Sequence, residues 1–598
     1  MWVIAAKAIG ANLFVAISAL GFGTWLVRLF PNSLSRLTRI SCMVIGGFGL
    51  LELILFVIGQ ISFSRWIVWV VLLVGTASAV AARKQFGKLS VSISKIPATV
   101  VGAVLLLTAI AGLAPPIGDW NVDGISYHYV GPKVWLRDGV IRPLPDNAPA
   151  SYPSLVEVGF AALRAVGGEQ APVFSPVWTL GFFLMISAGI GLRAGLTERS
   201  CWWVAALLAT MGALYEGSHS GFIDAVYAAF LLAAIHLGLD ATEEKHFVAF
   251  GFFCGLAIAT KYPALVTVPV IVACCVWRGT NEGGVWRAVR NAAVALVVAL
   301  IAASPFYLRN WILLGSPIYP PPPGAAAYFH VKYFTVDGLK SFYEYAVWRG
   351  NGLGRGLFAY LLLPYNLTYH TANFHGGGGI GIAPLAFGWI GVLASWRERF
   401  ATRLALIGLV LVSLWFVTMQ ESRYLIPFYG ILAVFAALGW ESAKGFLGKR
   451  GNFFCVLVVG ISLAYGFAIM AKSRVSDLHS VFSPSYARHR QEIEIPYWKS
   501  FQYVNATPSV TRILFLDRSI PTYYSDKDYV KPFGQWWERL YVEAATPAEI
   551  LLKINELHPS HVLDVVSAES GFLIPEDSPK YRLVFECPGQ RIYEVIYG

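Results

Sequence analysis

The chain has 598 residues, 56% hydrophobic and 14% charged, with a net charge of +11. Soluble domains carry about 25% charged residues, so the composition excludes an ordinary soluble protein. No basic helix interleaved with aromatics is present, so the positive charge does not point to nucleic acid.

Apolar residues come in runs of about 17–25, the length that crosses a hydrocarbon core of about 30 Å as a helix. The first such run ends at Leu26-Val27-Arg28 without a small-residue cleavage site, so it reads as a membrane helix and not as a signal peptide. Spans are predicted at 8–28, 40–62, 66–82, 97–114, 171–192, 201–216, 221–239, 247–260, 262–277, 289–308, 380–395, 404–419, 424–441 and 453–471. Between 247 and 277, Lys261-Tyr262-Pro263 splits the run into two short helices. The fold class is therefore mainly α, a polytopic membrane protein with about 13–14 transmembrane helices.

Arg28, Arg36, Arg39, Arg83, Lys84, Arg193, Arg199, Arg287, Arg290, Arg397, Arg399, Arg403, Lys444, Lys449 and Arg450 all fall on one side of the alternating spans. Lys and Arg mark the cytoplasmic side. The opposite face then holds the N-terminus, the loops 115–170 and 309–379, and everything after Ala471. Within the first loop, 124–138 and 151–166 have aromatic-rich helical patterns suited to the membrane interface.

From about 480 the chain changes character. Arg512–Asp517, His561–Val566 and Arg591–Ile596 read as strands. Thr546-Pro547-Ala548-Glu549 reads as a capped helix start, with a stop near His558-Pro559. A small extracytoplasmic α/β domain is expected over 476–598. Of seven cysteines only Cys587 falls there, so no structural disulfide is expected in it.

Several charged residues lie where a membrane protein rarely keeps them. Asp119 and Asp123 follow directly on a span, and Asp123 shares a helix face with Tyr127. A carboxylate at that depth can be tuned as a base, or it can merely cap a surface helix. Asp224 opens an otherwise apolar span, a functional position by default, or a helix cap. Lys261 and Arg423 lie at the outer interface, where each can bind a phosphate or snorkel to headgroups. His128, His370, His375 and Glu157 share that side without a ligand-like spacing.

The motif Asp123-Gly-Ile-Ser-Tyr127-His128, with Pro132-Lys133-Val-Trp135-Leu136, resembles the C-type superfamily (GT-C) of membrane glycosyltransferases, which includes protein O-mannosyltransferases and the lipid A aminoarabinose transferase. Asp224 after a Gly-rich turn, Gly255 to Pro263, and Gln420 with Arg423-Tyr424-Leu425-Ile426-Pro427 support the resemblance, which covers about 97–441. It implies a catalytic module over 96–475 preceded by extra spans over 1–95, whose role it leaves open. It implies Asp123 as catalytic base, with Asp119 in reserve and Asp224 as a second acidic residue. It implies substrate-binding roles for Tyr127, His128, Lys133, Lys261 and Arg423. The reaction implied is inverting transfer of a sugar from a polyprenyl-phosphate donor to an acceptor hydroxyl on a glycan, lipid or protein. The setting implied is a bacterial inner membrane with the active site extracytoplasmic. Some members need a divalent cation, and Asp123 and Asp224 are compatible with sharing Mg²⁺ or Mn²⁺; others need none. The rival readings are a transporter or lipid-linked-sugar flippase using the same charges, and a membrane scaffold whose C-terminal domain binds a partner.

Overall fold

The computed structural model describes residues 2–86, 92–117, 123–217, 221–277, 284–346, 350–376, 378–517, 520–544, 546–566 and 572–597. Asp119 lies outside the described residues. Each predicted span is met by a helix. By length and composition six are able to cross a membrane: Trp2–Leu29, Arg36–Gly59, Gln170–Arg193, Gly284–Leu314, Arg399–Val417 and Ser422–Phe482. Arg65–Ala81, Lys95–Ala111, Ala264–Val276 and Ile382–Ser395 are shorter apolar helices. Glu198–Ala209, Asp224–Asp240 and Glu244–Ile258 fill the remaining predicted positions. The break at 261–263 separates Glu244–Ile258 from Ala264–Val276 as the proline placement requires.

The last helix, Ile426–Phe482, runs 57 residues and contains non-helical backbone at Gly448, where φ is 63°. At 1.5 Å per residue it would be about 86 Å long, too long for one crossing. Gly448 divides it into the two predicted spans, because glycine adopts left-handed backbone without a Cβ clash. Near its far end Asp477 is paired at 3.0 Å with Arg490 of the following helix, Pro484–Glu494, both largely buried.

The Trp2–Leu26 and Arg36–Gly59 helices are packed into the body of the protein. The Leu155–Gly167 helix of the first long loop is buried along almost its whole length and packs against Trp2–Leu26 and Arg36–Gly59. It lies deeper than a helix resting on headgroups would. The loop is also pinned by backbone: Ile141 N–H donates to Gly59 O at 2.8 Å, and Phe63 N–H donates to Gly139 O at 2.7 Å. The extra spans thus form the wall against which the first outer loop is built.

The C-terminal domain holds a five-stranded sheet in the order β2-β1-β3-β5-β4. Its strands are β1 (Arg512–Phe515), β2 (Asp528–Val530), β3 (His561–Val565), β4 (Tyr581–Cys587) and β5 (Gln590–Val595). β1 is parallel to both β2 and β3, whereas β5 is antiparallel to both of its neighbours, β3 and β4. The Pro547–Glu556 helix carries the Thr546–Glu549 capping box. The predicted strands are the three central ones. β2 and β4 are the two edges, where half-exposed mixed sequence carries little alternation.

Candidate active site

One end of the helix bundle brings four of the sequence-marked residues into one cluster. Asp123 stands at the N-terminal edge of a π-helical turn, Gly124–His128, a geometry frequent at functional sites. Asp224 begins the Asp224–Asp240 helix. The two segments meet at glycines: a Cβ on Gly221 would lie 2.7 Å from the Gly124 Cα, and Gly221 has a φ of +89°. Any side chain at either position would push the two carboxylate-bearing segments apart.

Each carboxylate has its own cation. The Arg423 guanidinium donates to Asp123 Oδ2 and, through Nε, to Glu421 Oε1 at 2.5 Å. Lys261 Nζ lies 2.6 Å from Asp224 Oδ1. Asp224 is buried, and its Oδ2 has no hydrogen-bond partner among the described residues. Tyr424 lies between the pairs, its ring centre 4.6 Å from Lys261 Nζ and 5.1 Å from the Arg423 guanidinium carbon. Phe222 covers another side of that guanidinium at 5.0 Å. Desolvated cation–π contacts of this kind contribute about 2 kcal/mol.

Electrostatics follow from this placement. Burial by itself would raise the Asp123 carboxyl. The Arg423 guanidinium, with His128 and Lys261 nearby, outweighs burial and holds it down to about 2. Burial pushes the Tyr127 phenol up, and the Asp123 charge adds to this, so Tyr127 stays a hydrogen-bond donor. Tyr127, Tyr152, Tyr262 and Tyr307 follow one another at centroid spacings of 6.3, 5.6 and 6.1 Å, an aromatic track beside the cluster.

His128 pairs through Nδ1 with Glu157 Oε1 at 2.5 Å, both buried. Lys133 is elsewhere. Its Nζ donates to Tyr523 O at 2.8 Å, to Ser525 O at 3.0 Å and to Asp526 Oδ1 at 2.6 Å. An ammonium has three donors, so docking the C-terminal domain uses all of them.

That domain roofs the site. Ala148 N–H donates to Phe533 O at 3.0 Å, and Gln535 N–H to Pro145 O at 2.7 Å. Asn147 then donates to Ser126 O at 2.6 Å, reaching the turn that carries Asp123. A second anchor joins the other long loop: Glu538 accepts from Thr335 N–H at 2.6 Å, and Trp537 is buried against Phe342 and Tyr345.

Three site residues carried only faint marks in the sequence. Tyr424 stood inside a quoted motif without a role. Arg309 is buried and ties down the Ser151–Tyr152 backbone and Ser154. Glu52 is fully buried beside Gly159, and neither carboxyl oxygen has a hydrogen-bond partner among the described residues. A lone acidic residue inside the apolar Arg36–Gly59 span was the available signal for Glu52.

Asp123 and Asp224 are each neutralised by an organic cation, and among the described residues no three His, Cys, Asp or Glu side chains are grouped to hold a metal.

No protein-family model and no curated protein matches the chain. Among solved structures, it is similar to ArnT from Cupriavidus metallidurans bound to undecaprenyl phosphate, with a TM-score of 0.52, 13% identity, and coverage of 83% of this chain and 97% of that one. The apo state of the same protein aligns over the same shares with a TM-score of 0.47. The chain therefore shares a polytopic helical fold with ArnT.

Proposed function

We propose that the protein is a membrane glycosyltransferase that moves a sugar from a polyprenyl-phosphate carrier to an acceptor hydroxyl on the extracytoplasmic face. The observation that carries this reading is the cluster itself. Two carboxylates and two cations, drawn from four distant segments, converge beneath a roof at the end of an apolar helix bundle. The undecaprenyl phosphate held by the similar structure supports a lipid phosphate as the donor's carrier.

The steps follow from the chemistry of these side chains. An acceptor O–H gives its proton to Asp123. The oxygen attacks the anomeric carbon from the face opposite the phosphate, the new C–O bond forms, and the old one breaks with its electron pair leaving on the phosphate. The sugar is inverted. Arg423 and Lys261 stabilise the charge on the departing phosphate, and the tyrosine track offers faces for the sugar ring.

At a pKa of about 2, Asp123 is a weak base while Arg423 is bound to it. A donor phosphate that draws Arg423 away returns Asp123 towards the ordinary carboxylate range, so base strength rises when the donor arrives. The test is transfer from radiolabelled polyprenyl-phosphate sugars by purified protein in lipid. Asp123→Asn is expected to lose about 10²–10⁴-fold, the contribution of a general base. Wild-type turnover by that variant would remove Asp123 from the mechanism.

A further inference from the structure

We propose that the His128–Glu157 pair is the proton outlet of the transfer site: the proton that Asp123 takes from the acceptor passes on to His128, and Glu157 holds the resulting charge. The inference rests on the glycosyl-transfer reading and adds how the base is reset after each sugar has left.

Backbone geometry is the first argument. In an α-helix, residues three and four apart share a face, which would set Tyr127 beside Asp123 and His128 away from it. The chain instead makes a π-helical turn, Gly124–His128, closed by Tyr129 N–H donating to Gly124 O at 2.8 Å. Such a turn is built on residues five apart, so it brings the fifth residue after Asp123 towards the face of Asp123 itself. That residue is His128. Burial aside, Arg423 and then His128 bear most strongly on the Asp123 carboxyl.

The cycle of Arg423 is the second argument. Each transfer leaves a proton on Asp123 while the phosphate holds Arg423. When the phosphate departs and Arg423 returns, the carboxyl is again held down to about 2 and gives its proton up. An imidazole is the side chain suited to take a proton near neutral pH. His128 Nδ1–H donates to Glu157 Oε1 at 2.5 Å, which leaves Nε2 as the nitrogen that accepts. The O–H bond on Asp123 breaks and an N–H bond forms at Nε2. Asp123 is a carboxylate once more, and an imidazolium stands against the Glu157 carboxylate. Water entering the space vacated by the product then takes the proton from Nε2.

Glu157 is placed to hold that charge. It is buried, and its Oε2 has no hydrogen-bond partner among the described residues. A charge-assisted hydrogen bond in such surroundings is stronger than one in water. Arg309 of the Gly284–Leu314 helix and Glu52 of the Arg36–Gly59 helix also bear on Glu157, and the Tyr127 ring centre lies 4.1 Å from that of His128. Through Glu52, the N-terminal spans take part in setting the charge of the pair.

The test separates the first turnover from later ones. It uses the full chain in lipid, radiolabelled undecaprenyl-phosphate sugars in excess, and membrane extract as acceptor. His128→Gln is expected to make its first transfer at the wild-type rate, because Asp123 and Arg423 are intact. Its steady rate is then expected to fall about 10²-fold, the low end of what a proton-transfer group contributes. Glu157→Gln keeps an acceptor for Nδ1–H and removes the charge, so it is expected to show the same split. A structural role would slow both phases together. Equal loss in the first and later turnovers of both variants, or no loss in either phase, overturns the outlet. No transfer by the wild type would take down the glycosyl-transfer reading, and wild-type turnover by Asp123→Asn would take down the base; the outlet falls with either.

Discussion

The two ends of the bundle use the same residue types to opposite effect. At the outer end Asp123 meets Arg423 and Asp224 meets Lys261, beneath the C-terminal domain. At the other end four arginines face two carboxylates around an open cavity. Paired charges exert little pull at a distance, but their partners can be exchanged when a charged substrate enters. At the other end Arg193 is paired with Asp240, and Arg403 donates to the carbonyls of Cys274 and Cys275. Paired charge under a roof is the arrangement for chemistry, whereas the contacts around the open cavity join helix ends to one another.

The largest effect that would break this comparison is on Asp224. Lys261→Met leaves a buried carboxylate without its cation, which costs about 3–5 kcal/mol. The thermal midpoint in detergent should fall sharply, and the double variant Lys261→Met/Asp224→Asn should recover most of the stability without recovering transfer. Recovery of both would reduce the pair to a structural role.

Arg423→Gln comes next, with a loss of about 10²–10³-fold in kcat, the usual consequence of removing a transition-state charge stabiliser. Its pH signature is more specific. Without Arg423, Asp123 titrates in the ordinary carboxylate range, so the acid limb of kcat/KM moves upward from about 2. An acid limb common to wild type and variant would show that the pair does not set the base.

The roof is tested by Lys133→Ala. Losing three charge-assisted hydrogen bonds to the C-terminal domain should cost about 1–3 kcal/mol and expose that domain to limited proteolysis. A rise in KM for the donor with unchanged protease resistance would instead return Lys133 to phosphate binding.

The smallest effect concerns Asp146 beneath the roof. Burial, opposed by the hydrogen bond from Gln535 and by Arg512, raises it to about 6. A raised carboxyl favours the protonated folded form. The docked state is therefore most stable below the unfolded pKa of about 4 and loses about 1–2 kcal/mol as pH rises through 6. Asp146→Asn should flatten that dependence in thermal melts between pH 4 and pH 8. An equally steep dependence in the variant would assign it to another group.

Much of this protein was readable along the chain because a bilayer imposes strict local rules. Helix lengths, the break at Lys261-Tyr262-Pro263, the Thr546 cap and the gathering of Lys and Arg on one side each depend on residues close in sequence. Asp123, Asp224, Lys261 and Arg423 stood out because an ionised group beside hydrocarbon costs several kcal/mol. Lys133 looked equivalent to Lys261 by residue type and side. Only the position of the C-terminal domain, almost 400 residues later, separates them.

The sequence by itself determined the spans and which charges were too costly to be incidental, since each follows from local composition against a fixed membrane thickness. Tertiary structure alone decided the partners: Asp123 with Arg423 across 300 positions, His128 with Glu157, and Asp240 with Arg193. The physical reason is range. Hydrophobic transfer acts residue by residue, whereas an ion pair is decided within a few ångströms, by whichever helix end packing brings there.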